Sequence, residues 1–366
     1  MDIQSAVAQR AGVGRYARLL AQNLGSTAGS NQLSLFYFDF KKRGEPFAVP
    51  RAQFRVVRWC PGRLAQWAWK TVSWPPFDSL AGPADIYHFP NFIIPPLRKG
   101  KALVTIHDMA FLRFPQYAED NNRKYLEASI PDTVRRADAI LTVSRFSAGE
   151  ICELLHVEPD RVHSVYHGIS AEFTRPDDAS IQAVLARHRI EKPYILTVGT
   201  VEPRKNIPFL IEVFENLKSY DGQLVIAGMP GWKYGPILDR MRQSRCARRI
   251  RYVEYVPNDD LPSLYGGAEL FVLTSFYEGF GFPPIEAMAC GTPVISSSGG
   301  ALPEVLGTGA VILEDFNLDR WITQVERLLS DSNRRQELVA AGRIQAARYS
   351  WTQAALDTWK VYSSLV

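Results

Sequence analysis

The sequence lacks several features that would place it in other protein classes. Its 366 residues include only four cysteines, which lie far apart and form no pair with metal-ligand spacing. It has no run of about 18 apolar residues, which excludes a membrane-spanning helix. The first twelve residues also lack the apolar core of a signal peptide. These absences predict a globular protein that keeps its thiols reduced in the cytoplasm.

Excess charge is also scarce. The net charge of +4 falls entirely on residues 1–178, because residues 179–366 contain equal numbers of acidic and basic side chains. Such a weak imbalance does not favour a nucleic-acid partner, although a basic half is compatible with an anionic lipid or an acidic acceptor. The sequence contains no Asp-x-Asp pair of the kind that bridges a metal to a diphosphate, so we expect no metal site.

The length and the order of apolar segments predict the architecture. A chain of 366 residues suits two domains of roughly 150–200 residues each. Both halves alternate apolar strands with helices, which predicts an α/β protein with two parallel sheets. We place the first domain at residues 1–172 and the second at 173–350, with a hinge near 170–190. Little apolar sequence precedes Asp2, so the first strand is expected to be short or clipped.

One stretch, residues 273–293, carries most of the chemistry. It reads LTSFYEGFGFPPIEAMACGTP, which predicts the end of a buried strand, a glycine-containing loop and a short helix. Glu278 then lies in the loop beyond the strand, and Glu286 lies in the first helical turn, where open α/β sheets bind ligands. Gly279 and Gly281 would let backbone N–H groups approach a ligand. A helix-start glutamate and turn glycines also have purely structural uses.

Two cations occupy an unusual place in the second half. The sequence TVGTVEPRKN predicts a strand that ends at Gly199 and a helix that begins near Ile207. Arg204 and Lys205 therefore lie at a helix N-terminus, where each cation costs about 0.3–1 kcal/mol. The arrangement makes sense if an anion such as a diphosphate binds there, and ordinary surface charge is the alternative.

The first half offers two weaker signals. His107 and Asp108 directly follow a continuous apolar strand, at the edge of the sheet where ligands bind. A lone histidine is usually structural, and Asp108 could either contact a ligand or orient the ring. Gly12 and Gly14 form a Gly-x-Gly loop before a helix, which could admit a phosphate or a sugar or could be a plain turn. The loop lacks the third glycine of a dinucleotide fingerprint.

The segment between Pro46 and Phe77 combines cations with tryptophans and has no acidic residue. The basic residues are Arg51, Arg55, Arg58, Arg63 and Lys70, and the tryptophans are Trp59, Trp67, Trp69 and Trp74. Indole rings at headgroup depth beside cations are typical of a segment that lies on a membrane. The tryptophans could instead belong to the core or cover an acceptor groove, and the pattern leaves these interpretations open.

Taken together, these motifs resemble a known family. The two glutamates separated by seven residues, with Gly-Phe-Gly-Phe-Pro between them and Ala-Met-Ala-Cys-Gly-Thr-Pro-Val-Ile after them, resemble the signature of retaining glycosyltransferases of family 4, among the group 1 glycosyltransferases. The resemblance covers nearly the whole chain. It implies the GT-B fold, in which two Rossmann-like, doubly wound domains face a central cleft and a C-terminal helix, here residues 351–366, crosses back to the first domain.

The resemblance also implies a reaction and a set of roles. Family members transfer a hexose from a nucleotide diphosphate sugar to an acceptor hydroxyl, with retention and without a metal. The implied catalytic residues, which hold the diphosphate and the donor sugar, are Arg204, Lys205, Glu278 and His107. The implied substrate-binding residues are Gly12, Gly14, Asp108, Gly199, Val256 (in the loop near the nucleotide base), Phe280, Gly281 and Glu286 (on the ribose hydroxyls).

The donor and acceptor follow from the resemblance alone. The segments Glu-Pro-Arg-Lys-Asn and Gly-Trp-Lys-Tyr-Gly look most like bacterial mannosyltransferases of polysaccharide assembly, which favours GDP-mannose over a UDP-sugar. No cofactor beyond the donor is expected. A saccharide or lipid-linked acceptor would suit the tryptophan-rich segment and a location at the inner face of the plasma membrane. A non-catalytic sugar-nucleotide-binding protein remains an alternative, while a glycosidase would leave Arg204 and Lys205 unexplained.

Overall fold

A computed structural model describes residues 1–8, 12–42 and 47–366. These residues form two compact units. The first unit comprises residues 1–109, 121–168 and 350–366, and the second comprises residues 110–120 and 169–349. Residues 110–120 thus pack with the second unit, although the chain returns to the first unit after them. The functional domain limits at residues 172 and 350 stay a prediction.

Strands and helices alternate over residues 194–313 as the sequence predicts, whereas the two strands within residues 33–57, and the two within residues 86–105, have no helix between them in the described part of the chain. The strands are β1 (Leu33–Phe38), β2 (Ala52–Val57), β3 (Ile86–Phe89), β4 (Lys101–Thr105), β5 (Ala139–Thr142), β6 (Val162–Ser164), β7 (Tyr194–Val198), β8 (Gln223–Ala227), β9 (Ile250–Val253), β10 (Leu270–Leu273), β11 (Val294–Ser297) and β12 (Val311–Leu313). The helices are α1 (Gln4–Ala8), α2 (Val13–Ser26), α3 (Gly62–Val72), α4 (Phe77–Ala81), α5 (Ala110–Arg113), α6 (Asp120–Arg136), α7 (Arg145–Leu155), α8 (Asp178–His188), α9 (Ile207–Glu215), α10 (Gly235–Gln243), α11 (Leu261–Gly266), α12 (Phe282–Ala289), α13 (Leu302–Leu306), α14 (Leu318–Ser330), α15 (Ser332–Ala346) and α16 (Trp351–Ser363).

The first unit contains parallel strands in the order β3-β4-β5-β6 and a parallel pair, β1-β2. Residues 1–3 lie between these two groups. The backbone N–H of Asp2 donates to His88 O at 2.9 Å, and that of Ile3 donates to Phe36 O at 2.8 Å. This short segment therefore links β1 to β3.

The C-terminal helix α16 packs within the first unit. Its Trp359 Nε1 donates to Leu24 O of α2 at 3.3 Å, and its Tyr362 hydroxyl lies 2.7 Å from His88 Nδ1 at the end of β3. A Cβ added at Gly168 would come within 2.0 Å of Trp351 N. The end of the chain is thereby fixed against α2, β3 and the loop that contains Gly168.

The second unit is built on a single parallel sheet with strand order β12-β11-β10-β7-β8-β9. Strands β10 and β11 are buried at every residue, as expected for a parallel sheet with helices on both faces. The core includes Trp321 of α14, which is fully buried. Because all six strands run the same way, their carboxyl ends share one edge, and the segments that follow β7, β9 and β10 start there.

Candidate functional site

The loop after β10 holds Glu278 rigidly. Its backbone N–H donates to Gly299 O at 3.3 Å, and its carbonyl accepts from Ala301 N at 2.9 Å. Gly300, with φ +70°, is needed here because an added Cβ would lie 2.3 Å from Glu278 O. The loops after β10 and β11 therefore fix each other, and the Glu278 side chain extends from a defined backbone.

Arg204 and Lys205 meet at the carboxylate of Glu278. Arg204 Nη1 donates to Glu278 Oε2 at 3.1 Å and to Tyr277 O at 2.6 Å. Lys205 Nζ and Ser275 Oγ both donate to Glu278 Oε1, the latter at 2.6 Å. Burial alone would raise the pKa of Glu278, but the two cations and the Ser275 hydroxyl outweigh it and lower that pKa to about 2. Sequence motifs predicted the three charged residues but did not identify Ser275.

The backbone around this cluster keeps its cations in place. Arg204 and Lys205 lie in a 3-10 turn, Pro203–Lys205, that leads into α9. A Cβ at Gly199, directly after β7, would touch Lys205 Cε at 3.4 Å, so this glycine borders the lysine side chain. The structure thus brings Gly199, Arg204, Lys205 and Glu278 into one group at the carboxyl edge of β7 and β10.

The remaining glutamate is deeper in the second unit. Glu286, on α12, is 2% exposed, and its Oε2 accepts from the Tyr265 hydroxyl at 2.9 Å. Gly281, with φ +94°, is the N-cap of α12, and a Cβ there would lie 2.7 Å from Leu302 Cδ2. Phe280 is buried against Tyr349, with ring centroids 5.4 Å apart. The Phe280 side chain is therefore enclosed, and the contact of the residue 280 and 281 N–H groups with a ligand stays a prediction.

The loop after β9 differs in detail from the expectation. Val256 is buried, whereas its neighbour Tyr255 is half exposed. If a nucleotide base reaches this loop, the accessible groups are the Tyr255 ring and the backbone rather than the Val256 side chain. A strand end by itself does not reveal which of two consecutive side chains faces outward.

In the first unit, His107 lies just beyond β4. Its Nε2 is 2.9 Å from Pro90 O, and because a carbonyl can only accept, Nε2 carries the proton and Nδ1 is left as an acceptor. Burial lowers the pKa of His107 below its ordinary value, with the Pro90 hydrogen bond and Asp108 opposing the shift. His107 is thus a neutral imidazole, and Asp108 directly follows it in the chain.

Buried polar side chains that are linked by ring contacts and hydrogen bonds pack next to His107. The Tyr16 ring packs edge-on against His107 with centroids 4.9 Å apart, and its hydroxyl lies 3.1 Å from Thr105 Oγ1. His88 Nε2 is 2.8 Å from the same hydroxyl oxygen and continues to Tyr362 through Nδ1. None of these supporting residues has a motif signal, because they come together only through tertiary structure.

The two glycines that were predicted to form a loop in the first unit occupy different positions in the structure. Gly12 is the N-cap of α2, with φ +57°, whereas Gly14 is buried inside the first turn of that helix. Arg10 and Ala11, which precede them in the motif, lie outside the described residues. Of the predicted Gly-x-Gly loop, Gly12 alone is a loop residue.

The segment 110–120 was not anticipated as part of the second unit. The Tyr117 ring stacks on Phe276, with centroids 5.0 Å apart and planes at 12°. The indole N–H of Trp232 donates to Tyr117 O, and Lys233 Nζ donates to Gln116 O at 3.2 Å. Because Phe276 lies two residues before Glu278, this segment braces the loop that carries the glutamate.

The tryptophan-rich segment forms the exposed helix α3 and its flanks. Trp59, Trp67 and Trp74 are 71%, 59% and 62% exposed. Trp69 was predicted to share this role, but its Nε1 donates to Pro75 O at 2.7 Å and its ring lies 5.9 Å from that of Phe38. Trp69 therefore anchors α3 to the unit, because it occupies the helix face opposite the exposed rings.

Two kinds of feature are absent from the described residues. No group of three or more histidine, cysteine, aspartate or glutamate side chains within that part of the chain could hold a metal ion. None of the helices in the same residues is both long and apolar enough to cross a membrane.

Comparison with known proteins connects the chain to a family. The profile described as "Glycosyl transferases group 1" matches residues 183–345, and that described as "Glycosyltransferase Family 4" matches residues 10–173. The chain is 34% identical over 284 residues to the O-antigen chain mannosyltransferase B of Escherichia coli, which covers 76% of this chain and 74% of that protein.

Solved structures show a related fold. Sucrose-phosphate synthase from Thermosynechococcus elongatus aligns with a TM-score of 0.77 and 19% identity, covering 100% of this chain and 98% of that one. HepE from Anabaena, solved in complex with UDP and glucose, aligns with a TM-score of 0.74 and 15% identity over 99% and 98% of the two chains. The chain has two units with parallel sheets. Together with these similarities, this architecture confirms the predicted GT-B fold.

Proposed function

Since this chain belongs to glycosyltransferase family 4, we propose that it transfers mannose from GDP-mannose to a saccharide or lipid-linked saccharide acceptor in surface polysaccharide assembly. The observation that carries the proposal is the pair of cations, Arg204 and Lys205, that share the carboxylate of Glu278. The E. coli relative that is 34% identical bears the name of a mannosyltransferase, which supports mannose as the sugar.

The geometry suggests how the donor enters. Arg204 and Lys205 are held next to each other on one carboxylate, and oxygens of a diphosphate would replace Glu278 as their partner because charge-assisted hydrogen bonds to phosphate are as favourable for these cations. Glu278 would then accept hydrogen bonds from hydroxyls of the donor sugar. Glu286, already oriented by the Tyr265 hydroxyl, would accept from the ribose hydroxyls, while the N–H groups of Phe280 and Gly281 would hold the sugar.

The same cations would stabilise the leaving group. Cleavage of the bond between sugar and diphosphate leaves additional negative charge on the diphosphate, and fixed donors in a partly buried site stabilise such charge strongly. We therefore propose a reaction that retains the anomeric configuration and requires neither a metal nor a cofactor. Activity that survives EDTA would support the metal-independent part, and activity restored by Mg²⁺ or Mn²⁺ would contradict it.

Residues of the first unit are also proposed to contact substrate. The Nδ1 atom of His107, an acceptor because Nε2 is bonded to Pro90 O, would receive a hydrogen bond from a sugar hydroxyl. Asp108 and the backbone at Gly12 are proposed to contact substrate as well. Gly14 would act indirectly, by allowing the tight start of α2.

We also propose that the chain works at the cytoplasmic face of the plasma membrane, where α3 contacts lipid. Trp59, Trp67 and Trp74 are exposed together with Leu64, which is 54% exposed. Arg63 lies on the same helix, and no acidic residue occurs between positions 46 and 77. Exposed indoles next to cations suit the interface of an anionic bilayer. A lipid-linked acceptor would then be anchored in the same membrane that α3 contacts.

A donor screen tests the function directly. Thermal shifts should be measured with GDP-mannose, UDP-glucose, ADP-glucose and dTDP-glucose, followed by nucleotide release with and without a mannose-containing acceptor and by NMR of the product's anomeric proton. We expect the largest shift with GDP-mannose and acceptor-dependent release of GDP. A shift with UDP-glucose instead would identify a UDP-sugar transferase, and binding without acceptor-dependent release would indicate a non-catalytic sugar-nucleotide-binding protein.

A further inference from the structure

Glu202 lies beside the cation pair but is hidden from solvent. It is 1% exposed and immediately precedes the turn Pro203–Lys205. Its Oε1 accepts from Arg204 Nη2 at 2.5 Å. A buried carboxylate held this closely by a side chain of the site is too enclosed to contact a substrate itself, so any influence on the reaction must act through Arg204.

The guanidinium of Arg204 is held from two sides. Glu202 accepts from Nη2, whereas Tyr277 O and Glu278 Oε2 accept from Nη1. When Glu278 exchanges the cations for sugar hydroxyls, as proposed above, the contacts to Glu202 and Tyr277 O can remain. Arg204 would then keep its orientation while its partner changes from a carboxylate to a diphosphate.

Binding of a donor would change the net charge around the two cations and two carboxylates. Glu202 and Glu278 balance Arg204 and Lys205, so the four side chains together are neutral when all are ionised. The donor's diphosphate adds two negative charges, and nearby like charge favours the protonated form of a buried carboxylic acid. Either Glu202 or Glu278 could take up this proton.

The surroundings of the two carboxylates distinguish them. Glu278 has Lys205, Arg204 and Ser275 as partners, which hold its pKa at about 2. Burial raises the pKa of Glu202 above its ordinary value, although Arg204 and Lys205 oppose the shift, while the charge of Glu278 adds to it. When the donor binds, Glu278 would keep the Ser275 hydroxyl and gain the sugar hydroxyls as hydrogen-bond donors, which favour its ionised form. The enclosed Glu202 gains no such donor, so it is the easier group to protonate.

We propose that Glu202 is a positioning residue that fixes Arg204 for the diphosphate and takes up a proton from solvent as the donor binds. The proton adds to a carboxylate oxygen of Glu202, and no other bond is made or broken. The inference rests on the proposed function, because it needs a diphosphate donor at Arg204 and Lys205.

Isothermal titration of the full chain with GDP-mannose, and in parallel with UDP-glucose, tests this inference. Titrations at pH 6 in buffers with different ionisation enthalpies report the protons taken up per donor bound. We expect net uptake by the wild type and its loss in Glu202→Gln, which can still accept a hydrogen bond from Arg204 and should bind within about threefold of wild type. Glu202→Ala, which releases Arg204, should weaken binding about tenfold.

A matched control is available in the same unit. Glu215 is a carboxylate paired with Arg240 at 2.6 Å, on α9 and away from the cluster. Glu215→Gln should change neither donor affinity nor proton uptake. Uptake that persists in Glu202→Gln, or donor binding by the wild type without uptake, overturns the inference while the proposed function stands. Failure of the wild type to bind either nucleotide sugar overturns both.

Discussion

The carboxyl edges of the two parallel sheets differ in how they hold polar groups. In the second unit, two cations and two carboxylates form ion pairs that leave the group neutral: Arg204, Lys205, Glu202 and Glu278. In the first unit, His107 and Tyr16 stand in contact as neutral rings, and burial lowers the pKa of the histidine. The carboxyl edge of a parallel sheet can thus hold polar groups either as ion pairs or as neutral rings. Ion pairs can exchange one anion for another, whereas a neutral imidazole offers a fixed hydrogen-bond acceptor without adding charge.

The largest loss of activity is expected when a cation is removed from the second unit. Lys205→Ala deletes a charge that would stabilise the departing diphosphate, so we expect kcat to fall about 10²–10³-fold. The control is Lys218→Ala, an exposed lysine of the same unit, which should leave kcat unchanged. Equal activity in both variants, measured as initial rates of nucleotide release, would contradict the assignment of Lys205.

The two glutamates should separate binding from turnover. Glu278→Ala removes the group proposed to hold the transferred sugar, and we expect kcat to fall about 100-fold. Glu286→Gln weakens the contact to the ribose, so the donor Kd should rise about tenfold. Titration calorimetry beside initial rates distinguishes them, and an unchanged donor Kd in Glu286→Gln would refute its role.

The contrast also predicts that the two units lose stability at different pH. Burial lowers the pKa of His88, His107 and His167, so the unfolded chain binds more protons once the pH falls below 6.5. For each histidine that stays neutral in the folded state, the first unit should then lose about 1.4 kcal/mol of stability for every further drop of one in pH. In the second unit, Glu215 and Glu278 have pKa values of about 2, so their contribution persists until the pH falls below 4.5.

Hydrogen exchange at pH 7, 6 and 5 measures this difference. Peptides from β3–β6 should lose protection first, and those from β7–β12 should keep it. His167→Gln should flatten the pH dependence of the first unit, whereas His156→Gln, an exposed histidine of the same unit, should not. Loss of protection in β7–β12 at a higher pH than in β3–β6 would contradict the prediction.

The smallest expected effect concerns the surface of the first unit. Changing Leu64 and Trp67 together to alanine should reduce binding to vesicles of phosphatidylglycerol about fivefold, because both side chains are exposed on α3. Ile344→Ala, which removes a side chain 72% exposed on the second unit, serves as the control. Cosedimentation measures both, and undiminished binding by the double variant would exclude α3 as the lipid contact.

Much of the fold and part of the site could be predicted from local pattern. Apolar runs located the strands, and prolines and glycines located the helix starts, because these signals depend on neighbours a few residues apart. Glu278, Glu286, Arg204 and His107 were predicted as site residues because each lies in the loop or helix that follows a strand, and the ends of parallel strands share one edge; their roles stay a prediction. For Trp69 the sequence left a surface and a core position open, because sequence spacing does not show which face of α3 packs inward.

The sequence by itself determined which residue types lie at the carboxyl ends of the strands, and through its motifs it determined the family. Only the tertiary structure decided which of them meet. The stacking of Tyr117 on Phe276 and the packing of Tyr16 against His107 join residues that are distant in the chain. The hydrogen bond between Glu202 and Arg204 joins two residues of one motif, but the motif does not show that Glu202 is buried. The physical reason is that burial and partner distance set charge state and orientation, and both depend on contacts that no local periodicity records.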